Sequence, residues 1–308
     1  MQALVHVRSG LRAVLLALVL PALLLPALML SGGAAKAQQP VQQPIQETVP
    51  RERVEALLDL MAIDQIIAIM REEGLAYGAE LGADMLRGGG GAAWDMQVAR
   101  IYDQAWMRAT VRDRFVETFA AADPAPLIAF FETETGREVV RLEIAARRAF
   151  MDETVEEGAR EAYRAVAADL SASSPRGLDP HLSAIDAYVT ANDLVGFNVM
   201  GAMNANRLFF RGLVDGGAME MTDADIMSDI RAQYEQTEAE TREWIYAFLM
   251  LAYAPLEAGQ INDLADLSQT PHGRALNSAL FDSFDLMYGA LSQSLGAAMA
   301  GQMLSEEL

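Results

Sequence analysis

The chain has 308 residues, 52% of them hydrophobic, and 23 basic against 43 acidic side chains give a formal charge of −20. That apolar content suits a packed globular protein, while so negative a surface repels nucleic acid and anionic lipid headgroups, so neither is expected as a partner. There is no cysteine, which excludes thiolate nucleophiles, cysteine zinc sites, iron–sulfur clusters and c-type haem attachment.

Residues 1–37 read as a secretory signal peptide. Arg8 and Arg12 supply a positive start, residues 13–30 carry no charged or polar side chain, and Ala35-Lys36-Ala37 is a small-residue cleavage site. Cleavage after Ala37 places the mature protein in the periplasm or outside the cell, with no stable membrane span. The rival reading keeps residues 13–30 as an inner-membrane anchor, because their length reaches the lower limit for a span. Pro21, Pro26 and the small residues that follow favour cleavage. Cleavage removes Arg8, Arg12 and Lys36 and no acidic residue, leaving 20 basic against 43 acidic and a formal charge of −23. Lys36 is the sole lysine, so the mature chain lacks Schiff-base chemistry, pyridoxal phosphate attachment and a P-loop lysine. Residues 38–49 form a Gln- and Pro-rich flexible leader.

From residue 50 the apolar spacing is helical. Val54, Leu57, Leu58 and Met61 share one face; Ile66, Ile67, Met70, Tyr77, Leu81 and Met85 share a second. Trp94, Val98, Ile101, Ala105, Phe115 and Phe119 form a third. Between them, residues 88–91 are four glycines. They lack the Lys-Ser/Thr and the preceding strand of a phosphate loop, and read as a connection. Asp123-Pro124 is a cap followed by a first-turn proline, a device repeated at Asp179-Pro180. Thr135 and Glu138 have capping-box spacing before the face of Val139, Leu142, Ala146 and Phe150. One long helix is predicted from Glu138 to Arg164. Glu143–Arg147 and Glu156–Arg160 are expected there as i,i+4 pairs on a solvated face. Thr222 and Asp225 start a further helix, and the methionines spread through the helices read chiefly as core filler.

Two stretches of the chain resemble each other. Val54, Leu57 and Leu60 overlay Leu182, Ile185 and Tyr188, which makes Asp64 and Asn192 matching N-caps. Residues 127–137 then match 264–274, the second copy carrying nine extra residues in between. The shared motif is Phe130, Thr135, Gly136 and Arg137 in one copy and Leu267, Thr270, Pro271, Gly273 and Arg274 in the other. Each reads as a short helix, a glycine turn and an arginine-led helix. Val139 and Leu276 would return to meet Phe130 and Leu267. The expected fold is all-α: a helical bundle of two related halves, residues 50–170 and 179–304.

At this motif the chain resembles the secreted bacterial family catalogued as domain of unknown function 2059. The Thr270-Pro271-His272-Gly273 turn is close to the family pattern, and the first copy departs from it with Glu134 in place of proline. The resemblance implies an exported, all-helical protein. It brings no activity, cofactor or catalytic residue with it.

Positive catalytic signatures are sparse. The mature chain keeps His181 and His272, neither in H-E-x-x-H or E-x-x-H, and it holds no G-x-S-x-G or G-x-G-x-x-G. No metal site and no cofactor is expected. A Ser–His–Asp arrangement can be drawn from Ser268 or Ser278, His272, and Asp266 or Asp282, and Glu132 with Glu134 offers an acid/base pair. Gly289, Gln293, Gly296 and Ala300 form a small-residue stripe, flanked by Met299 and Met303. Such a stripe suits close helix packing, within the chain or across a homodimer. Two function classes stand: an exported, non-catalytic binding or interaction protein for an apolar ligand or an envelope partner's segment, and an envelope hydrolase using carboxylates or His272.

Overall fold

The computed structural model describes residues 49–119, 122–171 and 179–306. The signal peptide, the anchor alternative and nearly all of the leader lie outside the described residues. Those described form helices and turns, with no strand among them. In the first half these are α1 (Arg51–Leu60), α2 (Ile63–Met85), α3 (Gly91–Ile101), α4 (Gln104–Phe119), α5 (Ala125–Phe131), α6 (Glu134–Ala149) and α7 (Glu153–Ser171). In the second they are α8 (Pro180–Ala191), α9 (Leu194–Asp215), α10 (Asp223–Ala232), α11 (Tyr234–Tyr253), α12 (Ala258–Ser268) and α13 (Pro271–Glu306). None of the described helices is long and apolar enough to cross a membrane.

Local chemistry explains most boundaries. Asp179 caps α8 by accepting from the His181 and Leu182 N–H groups, with Pro180 at the first position. Thr222 and Asp225 close a reciprocal capping box on α10. Gly89, Gly90 and Gly91 all have positive φ and reverse α2 into α3. Behind that turn, Gly74, Gly78 and Gly82 line one face of α2 and receive Tyr102, Val98 and Trp94 of the α3 segment. A Cβ at any of the three would collide with the opposing side chain. The Trp94 indole N–H donates to the Gly78 carbonyl at 2.6 Å, which locks the pair.

Two expectations about boundaries need correction. Asp64 and Asn192 are not caps. The chain corners at Ala62 and Asp193, both left-handed, with φ of 53° and 44°. Asn192 lies at the end of α8 and donates to the Tyr188 carbonyl, while Asp64 accepts from Arg112 at 2.9 Å. The register between the halves therefore shifts by three residues. The long helix predicted from Glu138 to Arg164 is also two helices. It breaks after Phe150, where the Asp152 carboxylate accepts from the Thr154 N–H at 2.8 Å and starts α7.

Burial divides into two clusters, and neither is built by one half alone. The first gathers α1 to α5 with the end of α9, α10 and most of α13. The second gathers α6, the Phe150 turn, α7, α8, the start of α9, α11 and α12. The last long helix of the second half thus lies along α4, and the last helices of the first half lie on α11. Full burial of each Leu, Ile or Phe here contributes roughly 1.5–3 kcal/mol, so each half depends on side chains from the other.

Candidate functional site

The two glycine corners carry the same three hydrogen bonds. The Thr133 hydroxyl caps α6 by accepting from the Gly136 N–H at 3.0 Å, and it donates to the Phe130 carbonyl at 2.7 Å. The Thr270 hydroxyl accepts from Gly273 N–H and donates to the Leu267 carbonyl at the same two distances. Arg137 donates to the Glu132 carbonyl, and Arg274 to the Gln269 carbonyl. Pro271 is the first residue of α13. The cap of α6 is Thr133 rather than Thr135, whose hydroxyl accepts from Gln260 of α12 at 3.3 Å. Phe130 packs against both clusters and Leu267 against the first. In each corner the threonine hydroxyl and the arginine side chain are used to turn the chain.

The small-residue stripe closes within the chain. A Cβ on Gly296 would overlap the Phe209 carbonyl of α9, and one on Gly289 would meet Leu208. Met299 is fully buried, and Met303 packs against the first cluster. Two of the residues offered for hydrolysis, Ser268 and Asp282, are engaged elsewhere. Ser268 is 1% exposed and donates to the Leu264 carbonyl at 2.7 Å. Asp282 pairs with Arg114. Glu132 and Glu134 are exposed on the first corner, and His272 Nδ1 has no hydrogen-bond partner among the described residues.

A different set of residues converges where the two clusters meet. A cavity of about 250 Å³ opens between α2, the α6–α7 turn and α11. Glu73, Tyr77 and Glu80 come from α2, Arg147 from α6, Phe150 and Met151 from the turn, Glu153 and Glu156 from α7, and Trp244 from α11. Arg147 is 4% exposed, yet it carries a charge on the inner face of α6. Glu73 holds it in a two-pronged pair at 2.9 and 2.7 Å, and the guanidinium also donates to the Tyr288 hydroxyl of α13. Burial opposes the Arg147 charge, but Glu73 and Tyr288 outweigh it and move its pKa up. The expected Glu143–Arg147 pair does not form. The Tyr253 hydroxyl of α11 donates to Glu143 at 2.5 Å, and burial pushes that carboxyl up to about 7.

Two of the lining residues carry a buried donor. Tyr77 is 9% exposed and Trp244 5% exposed, and neither the phenol oxygen nor the indole nitrogen has a hydrogen-bond partner among the described residues. Burial drives the Tyr77 phenol far above its ordinary range, so it remains a protonated donor. Phe150 packs edge-on against Trp244 at 5.5 Å, and Trp244 stacks on Phe248 at 5.2 Å. At the rim, Glu156 pairs with Arg160 at 2.8 Å, while Glu80 and Glu153 form no ion pair among the described residues. Sequence reasoning missed this site because its residues come from three separate stretches, 73–80, 147–156 and residue 244. Its one local signal is an arginine beside the buried stripe of α6.

Two open grooves flank α13, of about 900 and 510 Å³. The larger is lined by exposed Met96 and Trp106 with Ala290 and Leu291, and the smaller by Phe197, Met200 and Phe281.

No curated protein and no solved structure matches this chain. A family described as "Uncharacterized protein conserved in bacteria (DUF2059)" matches residues 106–164. The matched stretch runs from α4 into α7. It contains the first glycine corner, Arg147, Phe150 and the two rim carboxylates of α7; the second corner lies beyond it. Over those residues the chain is similar to that bacterial family.

Proposed function

We propose that the protein is an exported, non-catalytic binding protein, and that its site is the cavity between the two clusters. The observation that carries this is the cavity of about 250 Å³ at the meeting of the two clusters, lined by Tyr77, Phe150 and Trp244 beside Glu73 and Arg147. A concave lining that is mostly apolar with a few polar groups among the rings suits a small ligand. The charged residues beside them argue against a purely apolar ligand. The leader, with its positive start, apolar run and Ala35-Lys36-Ala37 exit, supports export.

The test is a thermal-shift screen of the purified mature protein against small metabolites, together with native mass spectrometry of the material as isolated. A stabilising ligand is expected, with its effect reduced in Tyr77→Phe and Trp244→Phe. The proposal is overturned if no compound stabilises the protein, none co-purifies, and Tyr77→Phe raises the melting temperature. That result would make the phenol a tolerated defect rather than a contact.

A further inference from the structure

We infer that the open side of α13 is the surface on which two copies of this chain pair. Among the described residues eight large hydrophobic side chains are exposed, and four of them gather here. Met96 and Trp106 line the larger groove, between α3, α4 and α13. Met200 lines the smaller one, between α9 and α13. Leu286 stands on α13 between them, one residue after Asp285 of the smaller groove and one helical turn before Ala290 of the larger. At 58% and 68% exposed, Met96 and Met200 are not the core filler that most methionines of this chain are. A gathering of this kind, unlike single exposed side chains, marks an interaction surface.

The charges decide what covers it. Only two residues lining the larger groove are charged, Arg100 and Asp103. Both are exposed, and neither has an ion-pair partner among the described residues. The Asp103 carboxylate accepts from the Trp106 N–H at 2.8 Å and keeps its charge free. A twofold interface sets one surface against its own image, so that surface must be complementary to itself. One cation and one anion beside an apolar groove meet this condition, with Arg100 of each copy facing Asp103 of the other. The formal charge of −20 makes two copies repel over most of their surface, whereas the lining of this groove is neutral. The same charge turns away an anionic partner, and a cationic one would meet Arg100. At the smaller groove Asp282 is held by Arg114, and Asp285 accepts from Asn204. The stripe of Gly289 and Gly296 packs on α9 and takes no part.

Sedimentation equilibrium of the mature protein is expected to show a reversible dimer at micromolar concentration. Met96→Glu puts a charge into the apolar contact and should weaken the dimer about hundredfold. Arg100→Glu and Asp103→Arg each set like charges face to face twice, and each should weaken it about tenfold or more. Mixed together, the two charge variants should pair with one another as tightly as the parent chain, because every contact is then opposite in sign. Recovery in the mixture also shows that both variants are folded. Asp103→Arg gives up the bond to the Trp106 N–H, so Arg100→Gln supplies a second control: it should weaken the dimer less than Arg100→Glu. A parent chain that stays monomeric overturns the inference and leaves the binding reading standing. A dimer that tolerates Met96→Glu overturns it too, as do equal effects of Gln and Glu at position 100.

Discussion

Helices α6 and α13 leave identical corners and meet different ends. Counted from Thr133 and Thr270, Arg147 stands where Phe284 stands, and Glu143 stands where Leu280 stands. Phe284 and Leu280 are fully buried, and α13 continues for 36 residues. Helix α6 stops after 16, and its two ionisable groups reach Glu73 and Tyr253. A hydroxyl cap and a glycine therefore set the direction of the turn, while the side chains facing inward decide what the helix can enclose. At these two positions α13 presents apolar side chains and packs them fully buried. Ionisable groups on α6 left a buried polar junction beside the cavity, at the desolvation cost that burying an arginine carries.

The largest test converts one junction toward the other. Arg147→Met leaves Glu73 without its partner and should cost about 3–5 kcal/mol in denaturant unfolding. Adding Glu73→Leu should restore most of that loss. If the double variant stays as unstable as the single one, the pair is not what distinguishes α6 from α13. Next comes pH. The Glu143 carboxyl titrates at about 7 when folded against 4.5 as its ordinary value. The native state thus holds more protons than the unfolded chain across that interval, and stability falls as pH rises through it. The loss is expected to reach up to about 3 kcal/mol, and Glu143→Gln should remove this part of the slope. Equal slopes in both proteins would assign the pH dependence to other groups.

Smaller effects probe the corners themselves. A Cβ on Gly136 would overlap the Phe130 carbonyl, so Gly136→Ala should cost about 1–3 kcal/mol. Full retention of the melting temperature would show that the corner relaxes freely. Thr133→Ala and Thr270→Ala should each cost about 1 kcal/mol. Their losses should agree, since both hydroxyls make the same two bonds at the same distances. A large inequality would break the likeness of the corners at the level of energy.

Helical periodicity made the fold class legible, because faces such as Val54, Leu57 and Leu58 lie within one helix and are buried together, although the face drawn from Trp94 to Phe119 is divided between α3 and α4. The corners were legible for the same reason: their hydrogen bonds span three to five residues. Where the reading failed, distant partners decided. Glu143 and Arg147 have pairing geometry along one helix, yet α2 and α11 cover that side and claim each residue separately. Glu156 and Arg160 kept the expected pair and took Glu243 of α11 in addition. Asp152 ended the predicted long helix because its carboxylate competes for backbone N–H groups, a role that its position after Phe150 did not announce. The cavity was illegible altogether, since Tyr77 and Trp244 meet only through the tertiary packing of α2 and α11.

The lending of α13 to the first cluster has a kinetic consequence. Its final turn reaches the loop after α2, where the Glu306 carboxylate accepts from the Arg87 N–H at 2.9 Å. A polypeptide is made from its N-terminus, so α1 to α5 must wait with an open seam until α13 arrives. Closing so long a loop is slow, and the waiting seam is apolar. A chaperone that shields nascent chains should therefore matter more to this molecule than to one whose halves close in turn.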